Sequence, residues 1–450
     1  MSIELTKMST FSVFVFSSLR TFIYDASTCK SYRTGEQFFT RKSLISFPTL
    51  VYLLLSNMSN SLSVELFKIL DMNGLAQFTK SAFSQRRYQI SHSIFIKMNA
   101  MLVNLFYGSS EDIAQLWHGF RLCAIDGSSL VLPKTPDTKA EFGVHRNGNR
   151  QKTGLHETVM GRLVVQYDVV NHLITFAQLH PIAKSELSIV YQWIEHLLAD
   201  SLTIFDRGFG SFALFYLMQK YKKAFVVRLK LNFNTVVADF VKSGQTDAIV
   251  SFSSYRKQTI GTIIIPNGSQ VQLRLIRILL PDGTLEVLGT SLLNTILFPS
   301  IIFAQLYHLR WGVETCFDRF KNKLLALCFV GHKPEAIYQE VYANVLIHNI
   351  HQLLVSSAQI IVNQKVETNI SNGKEYKHDQ KVNDNVTIGI LKIHLFSLLS
   401  KPQSSEKILD LIPIFAKYTE PIRPNRTNKR QKSLAKRRNL ITQTNYRRAG

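Results

Sequence analysis

FRLCAIDGSS (120–129) and SLTIFDRGFG (201–210) carry the reading of this chain. Each runs apolar, β-branched or aromatic residues up to one aspartate, Asp126 in the first and Asp206 in the second, with glycine close behind. Such runs bounded by turn residues read as strands. MGRLVVQYDVVN (160–171), LITFAQLHPI (173–182) and AFVVRLKL (224–231) predict further strands, while SELSIVYQWIEHLLAD (185–200) and FALFYLMQKYKK (212–223) predict helices. Strands alternating with helices argue for an α/β core. Both aspartates are expected at the C-terminal ends of strands, the open edge of an α/β sheet where ligands bind. Taken singly, each is equally well explained as a turn aspartate that bonds its own backbone.

Outward from this core, 231–296 is strand-rich, with hairpin turns expected at Asn267-Gly268 and Asp282-Gly283. It reads as a β-rich insertion, so the core is assigned to 118–230 and 297–360. Residues 36–117 read as a helical domain. There the apolar spacing of SVELFKILDM breaks at Asn73-Gly74, and Thr79 or Ser81 can cap a second helix carrying Lys80, Gln85, Arg86 and Arg87. Helix, glycine turn and basic helix is the outline of a helix-turn-helix, which makes Lys80, Arg86 and Arg87 candidate DNA contacts. A plain solvated basic face fits the same pattern. Residues 361–420 are expected to be helical around a polar loop at 363–387. Residues 1–35 form an extension without an assigned role. The tail, 421–450, has ten basic residues and no acidic one. It is expected to be flexible or to order only on nucleic acid.

The 450 residues are 46% hydrophobic and 19% charged, a globular balance, and the net charge is +22. Without the tail, Lys and Arg still outnumber Asp and Glu by twelve. That surplus favours a polyanionic partner. A membrane is the weaker candidate, because FPTLVYLLL (47–55) is too short to span a bilayer. FSVFVF (11–16) lacks the length and cleavage site of a signal peptide. Cys29, Cys123, Cys316 and Cys328 show no paired spacing, so no zinc site is expected, and they fit a reducing cytoplasm.

IIFAQLYHLRWGVETCFDRFKNKL (301–324) reads as one helix. Tyr307, Arg310, Glu314 and Lys321 lie at offsets 0, 3, 7 and 14. At about 100° per residue they share one face, within roughly 60° of each other. Asp318 lies near that face. Alone, this pattern fits a solvated face with i,i+4 pairs. Two strand-end aspartates on a basic chain change the balance. Three converging carboxylates, Asp126, Asp206 and Glu314, need cations among them, and hard ions such as Mg²⁺ suit carboxylates together with phosphate oxygens. Two ions would hold the attacking and leaving oxygens of a phosphoryl transfer. Arg310 and Lys321 suit flanking phosphates, and Tyr307 can donate a hydrogen bond to one.

At this point the chain resembles the DDE transposases of bacterial insertion sequences, specifically the insertion-sequence-four family. The helix signature Y-x2-R-x3-E-x6-K is met at Tyr307, Arg310, Glu314 and Lys321. Asp126-Gly127-Ser128 and Asp206-Arg207-Gly208-Phe209 are similar to the family's aspartate blocks. TSLL (290–293), KSAFSQRR (80–87) and PIRPNR (421–426) also look like the family's. The resemblance covers roughly 36–430. It implies a ribonuclease-H-like core with a β insertion, and Asp126, Asp206 and Glu314 as metal-holding catalytic residues. The cofactor implied is two Mg²⁺ ions per site, with Mn²⁺ as a substitute. The implied partners are transposon-end and target DNA, engaged by a homodimer on paired ends in the cytoplasm and at the nucleoid. It also implies an order of steps: water frees a 3′-hydroxyl at the element's end, a hairpin on the opposite strand is one route onward, and the 3′-hydroxyl finally attacks target DNA.

Other readings differ by what they leave unused. A tyrosine recombinase would use Tyr307 as nucleophile but gives Asp126 and Asp206 no role. A DNA-binding regulator without catalysis has no need of the three carboxylates. A ribonuclease-H-like nuclease would cleave without joining.

Overall fold

The structure is a computed structural model that describes residues 3–56, 61–110, 113–147, 156–401 and 404–423. The chain divides into two compact units, the described parts of Met1–Ile113, Leu130–Gly161 and Asp318–Gly450 in one, and of Ala114–Ser129 and Arg162–Phe317 in the other.

The second unit is built on a mixed sheet. Its strands are β1 (Arg121–Val131), β2 (Met160–Asp168), β3 (Ile174–Pro181), β4 (Ser201–Phe205), β5 (Ala224–Leu229), β6 (Asp247–Ser253), β7 (Gln270–Leu279) and β8 (Leu285–Thr290). Their order across the sheet is β3-β2-β1-β4-β5-β8-β7-β6. β1, β4 and β5 run parallel, and β5, β8, β7 and β6 alternate in direction. The helices Glu186–Trp193 and Phe212–Lys220 cover this sheet through a core that includes Ile125, Ile189, Trp193, Phe205, Phe209, Phe215, Phe225 and Val287. Each aromatic side chain of this core stabilises the fold by about 1.5–3 kcal/mol through removal from water.

The strands of 231–296 do not stand apart as the pattern suggested. β6, β7 and β8 extend the central sheet, after a helix at Thr235–Ser243. Asp282-Gly283 closes the β7–β8 hairpin, with Gly283 at φ 81°. Asn267-Gly268 makes a turn but no hairpin, because the strands on either side of it pair elsewhere.

The first unit is helical. Helices within 36–107 lie at Phe47–Leu55, Leu62–Met72, Lys80–Arg87 and Ser93–Tyr107. Ser46 caps the first by accepting from the Thr49 N–H, and Thr79 caps the third by accepting from that of Ala82. The extension before residue 36 is part of this unit. Its helix Ile3–Tyr24 buries Leu5, Met8, Val15, Phe16, Leu19 and Ile23. The 38-residue helix Pro334–Ser371 runs through the unit, with Ile337, Leu346, Ile350 and Leu354 fully buried. It is long and apolar enough to pass for a membrane span, yet 72% of its most apolar window is buried inside the protein.

The polar loop expected at 363–387 is largely absent. The long helix continues to Ser371, a strand follows at Gln380–Val382, and the next helix begins at Asp384. The last turns of that helix are largely solvent-facing, so a polar composition there is compatible with helix as well as loop. Thr419–Pro421 pairs with Gln380–Val382, and the rest of the basic tail, 424–450, lies outside the described residues.

The helical unit also corrects the set of candidate DNA contacts. Arg87 is 2% exposed and donates to Glu340 Oε1 at 2.9 Å, Gln339 Oε1 at 3.1 Å and the Ala336 carbonyl at 3.2 Å. Its guanidinium is spent on joining two helices. Arg86 lies over the Phe39 ring at 4.1 Å and donates to the Ile45 carbonyl and Gln89. Lys80 is exposed. Arg87→Met is expected to cost about 3–5 kcal/mol in urea denaturation, since it leaves the Glu340 charge without its cation, with only the Val330 and Gly331 N–H groups, and removes the donor to Gln339 and the Ala336 carbonyl. Lys80→Ala should stay within about 0.5 kcal/mol. Equal stability of the two variants would show that Arg87 is not a structural residue.

Candidate functional site

The pairing of β1 with β4 builds the site. Ile125 is the partner of Phe205, the last pair of a parallel register that begins at Arg121 and Ser201. The next residue on each strand is Asp126 or Asp206, so the two aspartates are neighbours, one strand spacing of about 4.8 Å apart in backbone terms. Asp206 lies just past the end of β4, as expected. Asp126 does not end its strand, because β1 runs on to Val131. What ends at Asp126 is the pairing with β4. The row has a third member, since Phe205 also pairs with Val227, which brings Arg228 of β5 beside Asp206. Arg228 in turn donates to Glu286 of β8 at 2.7 Å.

Asp126 Oδ1 accepts from the Gly127 N–H at 2.8 Å, as a turn aspartate would. Its electrostatics go further. Burial, opposed by that N–H and abetted by the charge of Glu186, pushes its carboxyl up to about 6, with Arg310 lowering and Asp206 raising it further. Glu186, the first residue of its helix, is a carboxylate that the sequence pattern did not single out. It accepts from Arg162 Nη1 at 2.6 Å, and it is packed against Gly127 so closely that a Cβ there would lie 2.5 Å from its Oε1.

The helix at 301–324 is not uniform. An α segment, Ile302–His308, tightens to a 3₁₀ turn at Leu309–Trp311, relaxes to α over Gly312–Asp318, and widens to a π turn at Arg319–Lys323. Tyr307, Arg310 and Glu314 fall before the π turn, in the sheet-containing unit. Arg310 donates to Glu314 Oε1 at 3.2 Å, and its guanidinium lies 5.8 Å from the Tyr307 ring centre and 5.2 Å from that of Trp311. Burial works against the Arg310 charge, but Tyr307, Asp206 and Glu314 outweigh it and raise its pKa. Burial also raises the Tyr307 hydroxyl pKa, with Arg310 opposing and Asp206 adding. The Tyr307 hydroxyl and Arg310 Nε are buried without a hydrogen-bond partner among the described residues. Asp206 is within electrostatic reach of both residues, and buried donors left unsatisfied are expected where an anionic ligand is to be held.

Lys321 belongs to the other unit. It falls in the π turn, in the helical unit, where burial lowers its pKa. The widened turn coincides with long-range contacts: Arg319 and Lys323 both donate to Asp384 Oδ2, at 3.0 and 3.5 Å. Burial resists the Asp384 charge, but those cations keep its pKa below the ordinary value. Asp318 accepts from Asn322 at 2.7 Å. Among the described residues, no three His, Cys, Asp or Glu side chains stand close enough to share one metal ion. The two aspartates are brought together, and each nearby glutamate, Glu186 and Glu314, is held by an arginine.

The missed residues had weak signals. Arg228 is the lone charge in the strand AFVVRL, and Glu186 follows Ser185, the residue that caps its helix. Neither has a fixed spacing to Asp126 or Asp206 that a periodicity argument would notice.

Comparison with known proteins adds the family. Transposase InsG for insertion sequence element IS4 of Escherichia coli K12 is 27% identical over 251 residues, covering 53% of this chain and 54% of InsG. InsZ of the same organism is 27% identical over 104 residues, 23% of this chain and 34% of its own length. The chain thus spans about half the length, or less, of these curated relatives. Among solved structures, a piggyBac transposase synaptic complex with hairpin DNA aligns over 94% of this chain and 88% of its own, with TM-score 0.41 and 11% identity. Residues 117–350, just over half of the chain and all of the aspartate row and arginine–glutamate helix, match the family model of the transposase DDE domain, and the chain belongs to that family.

Proposed function

We propose that this protein is an insertion-sequence transposase that binds its element's terminal inverted repeats and catalyses metal-dependent DNA cleavage and strand transfer. The observation that carries the reading is the β1–β4 register, which makes Asp126 and Asp206 neighbours with the buried Arg310 in electrostatic reach of both. The sheet order β3-β2-β1-β4-β5, with the last three strands parallel, supports reading this part as a ribonuclease-H-like core. The +22 charge supports a DNA partner.

The donor set fits a hard divalent cation. Asp126 and Asp206 offer adjacent carboxylates; burial first, then the charges of Glu186 and Asp206, raise the Asp126 pKa, and a cation would favour its charged form. Asp126, Asp206 and Glu314 would hold Mg²⁺, or Mn²⁺ in its place, as two ions. When bound, the ions supply Lewis-acid stabilisation of the phosphodiester and of its leaving oxygen. The protein's own groups do the rest. Arg310 grips a phosphate beside the scissile bond, and its buried Nε supplies a donor that no described residue uses. The Tyr307 hydroxyl donates to a second oxygen. Arg228 and Lys321 add point charges along the backbone. Glu314, leaving Arg310, becomes the third carboxylate. Lys80 contacts the DNA backbone from the helical unit, and two copies act on paired ends and then on target DNA.

The test is incubation of the full chain with Mg²⁺ and duplex DNA carrying the inverted repeats that flank its coding sequence. Nicks at the repeat ends and joined strand-transfer products are expected. Cleavage without joining would leave a nuclease. A covalent phosphotyrosine adduct would overturn the metal mechanism.

A further inference from the structure

Glu186 is the carboxylate beside Asp126 that neither the helix signature nor the two aspartate blocks include. It sits where it does because residue 127 has no side chain. A Cβ on Gly127 would lie 2.5 Å from the Glu186 Cγ and Oε1 and 2.6 Å from its Cδ, closer than real contacts permit. Glycine at 127 therefore lets a glutamate from the neighbouring helix rest on β1, one residue from Asp126.

Among the described residues, its ion-pair partner is an arginine. Arg162 of β2 donates to Glu186 Oε1 at 2.6 Å and to the Ile182 carbonyl at 3.2 Å. The two side chains are 24% and 30% exposed, so the pair is open to exchange with a solute. The same site holds two side chains more than nine-tenths buried, Tyr307 and Arg310, each with a polar atom that no described residue satisfies. Those donors suit an anionic ligand such as a phosphate, a group that hard divalent cations also bind. Glu314 is held by Arg310 in the same manner as Glu186 by Arg162. Each glutamate beside the aspartate row thus has an arginine to release it from.

We infer that Glu186 is a further carboxylate ligand for the divalent cation at Asp126, and that Arg162 competes with the cation for Glu186 Oε1. The inference rests on the two-aspartate reading above. The exchange breaks one ion pair and makes one metal–oxygen contact, while Arg162 keeps the Ile182 carbonyl. Each added carboxylate matters because hard divalent cations bind according to the number and charge of their oxygen donors.

The experiment is Mn²⁺ titration of the full chain, followed by the electron paramagnetic resonance signal of the free ion, with circular dichroism melting as a check of folding. Asp126→Asn should lose the site. Glu186→Gln should weaken Mn²⁺ binding on the order of tenfold or more. Gly127→Ala should do the same without touching a carboxylate, because its methyl group must displace Glu186. Arg162→Met should bind Mn²⁺ as tightly as the wild type or more so, since the competitor is gone. If Asp126→Asn loses the site while Glu186→Gln and Gly127→Ala keep wild-type affinity, Glu186 is only the ion-pair partner of Arg162. The inference then falls and the two-aspartate reading stands. If Arg162→Met weakens binding as Glu186→Gln does, the pair acts as scaffold and the inference also falls. Wild-type affinity in Asp126→Asn would overturn the two-aspartate reading itself.

Discussion

Asp126→Asn is expected to lower DNA cleavage about a thousandfold or more while making the folded chain more stable at neutral pH. The loss of activity follows from removing one of two adjacent anionic donors at the point where charge must be balanced in phosphoryl transfer. The gain in stability has a separate source. Burial and the neighbouring charges of Glu186 and Asp206 raise the Asp126 carboxyl from 3.8 to about 6, against the help of the Gly127 N–H and Arg310. A carboxyl with a raised pKa binds its proton more tightly in the folded state than in the unfolded one. Its contribution is therefore fully present below pH 4, declines as pH rises through about 6, and stays lost above that. One pKa unit is about 1.4 kcal/mol, so the full cost is at most about 3 kcal/mol, and partial solvation reduces it to about 1–2. Asparagine carries no charge to desolvate. Urea denaturation of both proteins in chelator, at pH 4.5 and pH 7.5, checks this. The variant should gain at pH 7.5 and show little difference at pH 4.5. A variant less stable at both would mean that the Asp126 charge is compensated and the site is not electrostatically strained. Asp206→Asn should lose cleavage to the same extent.

Arg310→Met is expected to have the second largest effect, with cleavage reduced about 10³-fold, the range in which an arginine stabilises the charge of a phosphoryl-transfer transition state. Arg310 is 6% exposed, and it interacts electrostatically with Asp126, Asp206 and Glu314. Its removal also strips a cation from the Tyr307 and Trp311 rings. Arg310→Lys should recover only a minor part of the rate, because an ammonium cannot present the fork that spans a carboxylate and a phosphate. Single-turnover cleavage of a repeat-end duplex separates the two explanations for a loss. If Arg310→Lys restores the wild-type rate, Arg310 acts as a point charge and its unpartnered Nε has no role.

Much of this molecule could be read from one chain. The alternation of apolar strands and amphipathic helices is local, so the α/β core, the Thr79 cap, the Asp282-Gly283 hairpin and the strand end at Asp206 were visible as patterns. Tyr307, Arg310 and Glu314 were visible because a helix converts spacing into a shared face. The failures share a physical cause as well. A helix is uniform only where nothing pulls on it, and the Arg319–Asp384–Lys323 contacts, made 61 to 65 residues apart, coincide with the widened turn that carries Lys321. The basic face at 80–87 looked solvated or DNA-facing, but Gln339 and Glu340, about 250 residues on, take Arg87.

The sequence by itself determined which carboxylates and cations are available to the proposed site, because side-chain chemistry and local periodicity need no partner. Tertiary structure alone decided which of them meet. The parallel register of β1 with β4 is a long-range choice, and it makes Asp126 a neighbour of Asp206 in mid-strand rather than at a strand end. The same sheet sets Arg228 beside them, and the absence of a side chain at Gly127 admits Glu186. Proximity across a sheet depends on the pairing of distant residues, and no spacing along the chain encodes it.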